Sequence, residues 1–211
     1  MLNLIQKICK RFDILFILDE IITGFRLGIG GASKLWNLSP DIITYGKIIG
    51  GGLPIGLVSL TNEIADRSFG DKSKFVPTGG TFSANPLVAT AGLSVLNILD
   101  TKDYNYINQL GELLRSLVNS YYKKYGIPLS IIGINSISRI VFTDQKFKNR
   151  MERDYFEKGT QNKQIEFRKK MLGKNILWPN NGILFTGFCN TKKEIENLAA
   201  KINETSHEVF L

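Results

Sequence analysis

An unbroken apolar stretch near the beginning of the chain is the first pattern that predicts structure. Residues 14–18 are all apolar, with no polar residue alternating among them. A strand covered on both faces in a parallel sheet has this pattern, so we expect a buried strand that ends at Asp19. Shorter extended runs follow at residues 41–45 and 56–60. The first part of the chain is therefore predicted to be α/β.

Helical spacing of apolar residues marks the second part of the chain. Apolar side chains recur at helical intervals over residues 107–121, which predicts a long amphipathic helix that ends before Gly126. A strand is expected at residues 138–143. We therefore expect two domains, an α/β part over residues 1–100 and a small α+β part over residues 101–211.

Two further helices are predicted from their starting residues. Thr191 and Glu194 have the spacing of a capping box, which indicates a terminal helix over residues 191–203. Asn85 followed by Pro86 is a favourable helix start, and a mostly apolar segment follows to residue 99. Because this segment carries so few polar residues, we expect its helix to be largely buried.

The composition of the chain indicates the size of core that it can form and the cellular compartment that we expect for it. The chain has 211 residues and is 43% hydrophobic, which is enough for one sizeable core. The uncharged stretch of residues 48–62 contains four glycines and a proline, so we expect no membrane span. The first ten residues lack the features of a secretion signal, and two distant cysteines suit a reducing compartment. We expect a cytoplasmic protein.

The positive charge lies mainly in the second part of the chain. The formal net charge is +8, and residues 101–211 contribute +7 of it. Residues 146–174 are rich in lysine and arginine, but acidic residues are interspersed and no nucleic-acid-binding motif accompanies them. We interpret this stretch as a solvated face and predict no nucleic-acid partner.

Several common chemistries do not fit the sequence. Gly46-Lys47 is followed by Ile48, and no glycine stands at the position that a Walker phosphate loop requires. The glycines of residues 28–31 lack the third glycine of a dinucleotide fingerprint, so a turn is the better interpretation. His207 is the only histidine, which leaves little for zinc sites or for catalytic triads.

The pair formed by Asp19 and Lys47 fits one remaining chemistry. Asp19 ends the predicted buried strand, and Lys47 lies within a glycine-rich turn at residues 44–52. Open α/β sheets bind ligands beyond the carboxyl ends of their strands. An acid and a lysine at this edge are what an enzyme that uses pyridoxal 5'-phosphate needs.

Three motifs around this pair resemble the class III aminotransferases. The first is Leu-Asp-Glu-Ile-Ile-Thr-Gly-Phe-Arg at residues 18–26, and the second is Tyr-Gly-Lys-Ile-Ile-Gly-Gly-Gly-Leu-Pro-Ile-Gly at residues 45–56. The third is Gly-Gly-Thr-Phe-Ser-Ala-Asn-Pro-Leu at residues 79–87. They occur in the order and spacing that the family shows, and the glutamate-1-semialdehyde aminomutases are the nearest branch.

The resemblance implies a role for each site residue. Lys47 would form a Schiff base with the aldehyde of pyridoxal 5'-phosphate, and Asp19 would pair with the pyridine nitrogen. Ile21 would pack against one face of the ring. Thr81, with backbone amides that include Gly80, would bind the cofactor phosphate, and family dimers place that threonine in the partner's site. No role for a metal is implied.

The resemblance also implies the fold and the partners. It implies part of the large domain of the fold type I transferases over residues 1–100, with a mainly parallel sheet, and a small α+β domain over residues 101–211. The motifs match only the latter half of the family, so we expect the N-terminal lobe to be absent from this sequence. A homodimer with shared active sites and a separate N-terminal segment are the expected partners.

Two functions remain open at this point. The first is amino group transfer, by an aminotransferase or an aminomutase acting on a small amino acid or amino-aldehyde, once an amino-terminal portion is supplied. The second is a truncated, catalytically incomplete chain with a structural or dimerisation role.

Overall fold

The computed structural model describes residues 1–70 and 79–211, without the side chains of residues 101 and 102. These residues form two compact units, Met1–Thr101 and Lys102–Leu211. Each unit combines helices with a three-stranded sheet, so the chain has an α/β architecture. The assignment of these units to the large and small domains of a transferase stays a prediction.

Short helices and strands alternate in the first unit. Its strands are β1 (Ile17–Asp19), β2 (Ile42–Gly46) and β3 (Gly56–Leu60), and a 3₁₀ turn, Lys47–Gly50, follows β2. Its helices are α1 (Leu2–Arg11), α2 (Gly31–Leu35), α3 (Asn62–Phe69) and α4 (Pro86–Ile98). The extended runs expected at residues 41–45 and 56–60 are thus confirmed as β2 and β3.

The described sheet of the first unit is small and mixed. Its strand order is β1-β2-β3, with β1 parallel to β2 and β2 antiparallel to β3. The chain between β1 and β2 is long enough for the crossover that a parallel pair requires, and it contains α2. The chain between β2 and β3 is too short for a crossover, so β3 returns antiparallel. A mainly parallel sheet is therefore not established by the described strands.

The apolar run at residues 14–18 is less buried than its pattern predicts. Phe16 is buried, but Ile14 is 54% exposed and Ile17 is 57% exposed. Among the described residues β1 pairs with β2 alone, so its other edge has no strand beside it. The expected burial of this strand on both faces is therefore wrong for the chain in this structure.

Helix α4 starts where the sequence predicts, but its expected burial is wrong. The Asn85 side chain accepts hydrogen bonds from the Leu87 and Val88 amides, which caps the helix. Of the residues of α4, only Gly92 is buried. The helix packs one narrow side against the 3₁₀ turn, and its other apolar residues face outward.

The second unit has a continuous apolar core beneath an antiparallel sheet. Its strands, in the order β4-β5-β6, are β4 (Ser130–Ile134), β5 (Ile137–Val141) and β6 (Ile183–Phe185). Its helices are α5 (Thr101–Tyr125), α6 (Arg150–Phe156), α7 (Gln161–Gly173) and α8 (Lys192–Phe210). The core includes Leu110, Leu114, Val118, Ile131, Ile140, Phe167, Met171, Trp178, Ile195 and Ile202.

The sequence predictions for the second unit are largely confirmed. The long amphipathic helix is α5, and the strand expected at residues 138–143 corresponds to β5. The capping box of Thr191 and Glu194 is present at the start of α8, which runs seven residues beyond the predicted end. The sequence prediction missed β4.

Candidate functional site

The parallel pairing of β1 and β2 brings Asp19 and Lys47 to one edge of the sheet. Asp19 lies opposite Thr44 in the strand register. Lys47 follows three residues later and opens the 3₁₀ turn. Both side chains are exposed. Since parallel strands have their carboxyl ends at the same edge, the two residues that the sequence singled out both lie at that edge.

The backbone at Lys47 is in a conformation that few side chains adopt. Its φ is 51°, in the left-handed region, and it is preceded by Gly46 in an extended conformation with a φ of −170°. Non-glycine residues in this region are uncommon, and they cluster at functional sites. The turn therefore imposes strain on the one lysine for which the sequence predicts a chemical role.

Ile21 lies where it covers this turn. A Cβ atom added at Gly46 would lie 3.3 Å from Ile21 Cγ2 and 3.3 Å from the carbonyl oxygen of Ile55. The Ile21 amide donates a hydrogen bond of 2.9 Å to Asp19 Oδ1, which orients that carboxylate. Asp19, Ile21 and Lys47 thus lie at the same edge of the sheet, and their roles stay a prediction.

Glu20 is a buried residue of the site region that the sequence prediction missed. It is 0% exposed. Its carboxylate accepts hydrogen bonds from the Ala32 amide at 2.7 Å, the Ser33 amide at 2.7 Å and the Thr23 hydroxyl at 2.8 Å. The Glu20 amide in turn donates to the Thr44 carbonyl at 2.9 Å. The sequence carries no local signal for this burial, because the partners Ala32 and Ser33 lie twelve and thirteen residues away.

The side chain of Tyr45 packs into the same region. Its ring centroid lies 5.8 Å from that of Phe25. A Cβ atom at Gly24 would lie 2.6 Å from the Tyr45 ring, so a glycine is required there. Burial raises the pKa of the Tyr45 hydroxyl, and the negative charge of Glu20 raises it further. The Tyr45 side chain that lines this region is therefore uncharged at physiological pH.

Gly80 and Thr81 lie apart from this group, in a separate open groove that we call the Thr81 groove. The groove has a volume of about 650 Å³. The described residues that line it are Pro54, Ile55, Gly56, Leu57, Gly80, Thr81, Phe82, Ser83, Ala84, Asn85, Val88 and Ala89. Asp19 and Lys47 are not among them, so the structure does not bring Thr81 and Lys47 into one cavity of one chain.

The backbone of the Thr81 groove contains an ordered turn. The Gly80 amide donates a hydrogen bond of 2.7 Å to the Ser83 hydroxyl, and the Ser83 amide donates one of 2.9 Å to the Gly80 carbonyl. The Thr81 side chain is exposed. A hydroxyl and backbone amides in an exposed turn are the groups that bind phosphate.

Residues 1–70 and 79–211 contain no cluster of three or more histidine, cysteine, aspartate or glutamate side chains suited to a metal ion. In the same residues no helix is both long enough and apolar enough to cross a membrane.

Comparisons with known proteins agree with the motifs at this edge. Residues 1–165 match the model of the family "Aminotransferase class-III". The chain is 38% identical over 149 residues to glutamate-1-semialdehyde 2,1-aminomutase 2 of Lachnoclostridium phytofermentans, a match that covers 67% of this chain and 33% of that protein. It is 35% identical over 193 residues to the glutamate-1-semialdehyde 2,1-aminomutase of Sulfolobus acidocaldarius, covering 90% of this chain and 45% of that protein.

A solved structure shows the same fold over nearly all of the chain. An omega-transaminase from Sphaerobacter thermophilus superposes with a TM-score of 0.86 and 25% identity, covering 99% of this chain and 47% of that one. The fold and the family match define an α/β protein related to the aminotransferases and aminomutases that use pyridoxal 5'-phosphate. The chain belongs to the class III aminotransferase family. It spans between a third and a half of the length of these relatives.

Proposed function

We propose that this chain takes part in amino group transfer that depends on pyridoxal 5'-phosphate, with Lys47 as the residue that holds the cofactor covalently. The observation that carries the proposal is that Asp19 and Lys47 both lie at the carboxyl edge of two parallel strands. The left-handed backbone at Lys47 supports it, because strain of this kind is retained where a side chain must be presented.

Each residue at this edge has a chemical task that suits its surroundings. The cofactor, when bound, supplies a cationic ring that withdraws electrons from the substrate. The Asp19 carboxylate would hold a proton on the pyridine nitrogen, and the Ile21 side chain would cover one face of the ring. The Lys47 amine would accept and return the substrate proton at Nζ. The substrate would be a small amino acid or amino-aldehyde, as the names of the relatives suggest.

The Thr81 groove fits a homodimer in which the two active sites are shared. Gly80 and Thr81 offer a phosphate-binding turn, yet Lys47 does not line the groove that contains them. A second copy that placed its Thr81 groove over the first copy's Lys47 would unite the two halves of the site. We therefore propose that Thr81 and Gly80 bind the phosphate of the cofactor held by the partner.

The exposed edge of β1 supports the proposal that a further segment of polypeptide covers it. Ile14 and Ile17 are more than half exposed, and the apolar side of α1 is exposed at Leu4, Ile8 and Phe12. A strand edge with large apolar side chains is a template for strand addition. We propose that the amino-terminal portion of the family fold covers this edge, whether the same polypeptide or a separate one supplies it.

The same exposure favours a second candidate function. A chain that keeps the sheet edge and the Thr81 groove but lacks a cover for the cofactor could act only in association, as a structural or dimerising element. The two candidates differ in one respect, since the second binds no cofactor through Lys47.

The experiment combines the chain with pyridoxal 5'-phosphate, alone and with the amino-terminal portion of the Sulfolobus acidocaldarius relative. The expected result is a visible absorbance band that amino acid donors bleach, as the cofactor gains the amino group. The Lys47→Ala variant should show no band, whereas Lys34→Ala, which changes an exposed lysine of the same unit, should behave as the unaltered chain. Association without any band in either mixture would support the structural role instead.

A further inference from the structure

The buried carboxylate of Glu20 joins three parts of the first unit at one point. Its side chain accepts from Thr23 in its own turn and from Ala32 and Ser33 at the start of α2. Its backbone binds β2 through the Thr44 carbonyl. Hydrogen bonds to an ionised acceptor are about twice as strong as those between neutral groups. Glu20 therefore links its own turn, the start of α2 and strand β2 within residues 19–44.

The surroundings of Glu20 are shaped for a carboxylate. Helix α2 begins at Gly31 after the N-cap residue Gly30, with no side-chain cap of its own and no acidic residue in its first turn. A Cβ atom at Gly31 would overlap the Glu20 carboxylate, at 2.1 Å from Oε2, so the glycine leaves room for this acid. The acid thus acts as a cap supplied from twelve residues away along the chain.

Both neighbours of Glu20 in sequence belong to the cofactor edge. Asp19 precedes it and Ile21 follows it, and the Ile21 amide binds Asp19 Oδ1. The carbonyl of Glu20 accepts from the Gly24 amide at 2.8 Å, which closes the turn that presents both residues. A rotation of Glu20 about its backbone would turn Asp19 and Ile21 away from Lys47.

We infer that Glu20 is the positioning residue of the cofactor site: its buried carboxylate fixes residues 19–33 so that Asp19 and Ile21 face the edge where Lys47 emerges. The inference rests on the proposed function for its significance and on the geometry of residues 19–33 for its content. A plain helix cap would stabilise α2 without any effect on Asp19.

The Glu20→Gln variant separates these two roles. Glutamine keeps the shape of the side chain, but an NH₂ group replaces one of the two acceptor oxygens. This NH₂ group cannot accept a hydrogen bond from the backbone N–H that it faces. The amides of Ala32 and Ser33 should exchange with solvent about tenfold faster or more in the variant. The chemical shift of the Ile21 amide proton should also change, because its hydrogen bond to Asp19 is lost. Both readouts use the whole chain without cofactor.

An unchanged Ile21 shift beside faster exchange at Ala32 and Ser33 would reduce Glu20 to a cap and overturn the inference. The control is Glu63→Gln, which removes an exposed carboxylate from α3 and should alter neither readout. Should Glu20→Gln fail to fold, Thr23→Val removes one donor with little change in shape. It should produce a smaller displacement of the same Ile21 signal, and no displacement would again overturn the inference.

A cofactor measurement distinguishes this inference from the proposed function. With the amino-terminal portion present, Glu20→Gln should weaken the binding of pyridoxal 5'-phosphate about tenfold or more. Ile64→Val, a core change in α3, should leave binding unchanged although it also lowers stability. If the unaltered chain binds no cofactor, the proposed function fails, and the Ile21 signal still decides whether Glu20 positions Asp19.

Discussion

Phe167 is the residue whose loss should affect the second unit most. Its side chain is 0% exposed and lies on α7 in the centre of the core. Its ring meets Phe142 at a centroid distance of 5.7 Å and an angle of 87°, and Trp178 at 5.1 Å and 75°. Both are edge-to-face arrangements, in which aromatic rings attract each other beyond the effect of burial. The perturbation is Phe167→Ala.

The expected loss of stability follows from these contacts. Replacing a buried phenylalanine by alanine costs about 3 to 5 kcal/mol, and each aromatic pair contributes about 0.5 to 1.5 kcal/mol. Because Phe167 is fully buried and makes two such pairs, we expect a loss of about 4 to 5 kcal/mol. Small domains have about 5 to 15 kcal/mol in total, so the variant should retain only part of its folded population on heating.

Urea unfolding followed by tryptophan fluorescence measures this loss. The chain has two tryptophans, and a Trp36→Phe background leaves Trp178 as the reporter of the second unit. For a slope of about 1 to 2 kcal/mol per molar urea, the midpoint should fall by about 2 to 5 M. The matched control is Leu172→Ala on the same helix, which is 61% exposed and should change stability by less than about 1 kcal/mol.

A loss below about 1 kcal/mol for Phe167→Ala, or one no larger than that of Leu172→Ala, would refute the reasoning. It would mean that the core of the second unit does not close around this ring. Phe167→Leu keeps most of the volume but loses both aromatic pairs, so it should cost about 1 to 3 kcal/mol, less than Phe167→Ala, and it gives a folded variant for the comparison.

Three further predictions concern a helix cap, a close contact and an ion pair. Thr191→Ala removes the capping box of α8 and should lower the free energy of unfolding of the second unit, followed by Trp178 fluorescence, by about 1 kcal/mol, whereas an unchanged stability would contradict the cap. Gly92→Ala would place a Cβ atom 2.2 Å from the Ile49 carbonyl oxygen. The stability of the first unit, followed by Trp36 fluorescence, should therefore fall by about 1 to 3 kcal/mol, and cofactor binding should weaken. Hydrogen bonds from Lys174 and Lys170 lower the pKa of Glu208. Its ion pairs therefore stabilise the fold above the ordinary pKa of glutamate and lose this effect as pH falls below it, so Glu208→Gln should flatten the acid side of the stability profile.

The parts of the fold that the sequence predicts best are those set by neighbouring residues. The capping box of Thr191 and Glu194, the Asn85 cap and the spacing of α5 involve residues only a few positions apart. Such local interactions can be recognised in a sequence without knowledge of the remaining fold. Strand β4 was missed because it pairs with β5 through a tight hairpin at Asn135. The φ of this residue is 51°, and no simple turn motif in the sequence predicts this conformation.

The failures concern burial, which depends on distant parts of the chain. The apolar pattern of residues 14–18 and of α4 indicates apolar surfaces, but it does not say which residues cover them. The described residues leave both surfaces partly exposed. The hydrophobic pattern therefore predicted the positions of the strand and the helix better than it predicted their burial.

The candidate site divides in the same way. Asp19 and Lys47 could be placed at one edge from the sequence, because strand order and chain direction are enough to bring them together. Glu20 could not be assigned its role, since its partners Ala32 and Ser33 lie twelve and thirteen residues away. The family resemblance already implied that Thr81 serves the partner's site, and Lys47 does not line the groove that contains Thr81.

The covalent link between the cofactor and Lys47 is the most direct test of the proposed chemistry. The chain is incubated with pyridoxal 5'-phosphate and the amino-terminal portion of a relative, reduced with borohydride, digested and mapped by mass spectrometry. The account predicts one dominant modified residue, Lys47, and its loss in Lys47→Arg. Label spread over exposed lysines such as Lys34, or no label at all, would contradict it.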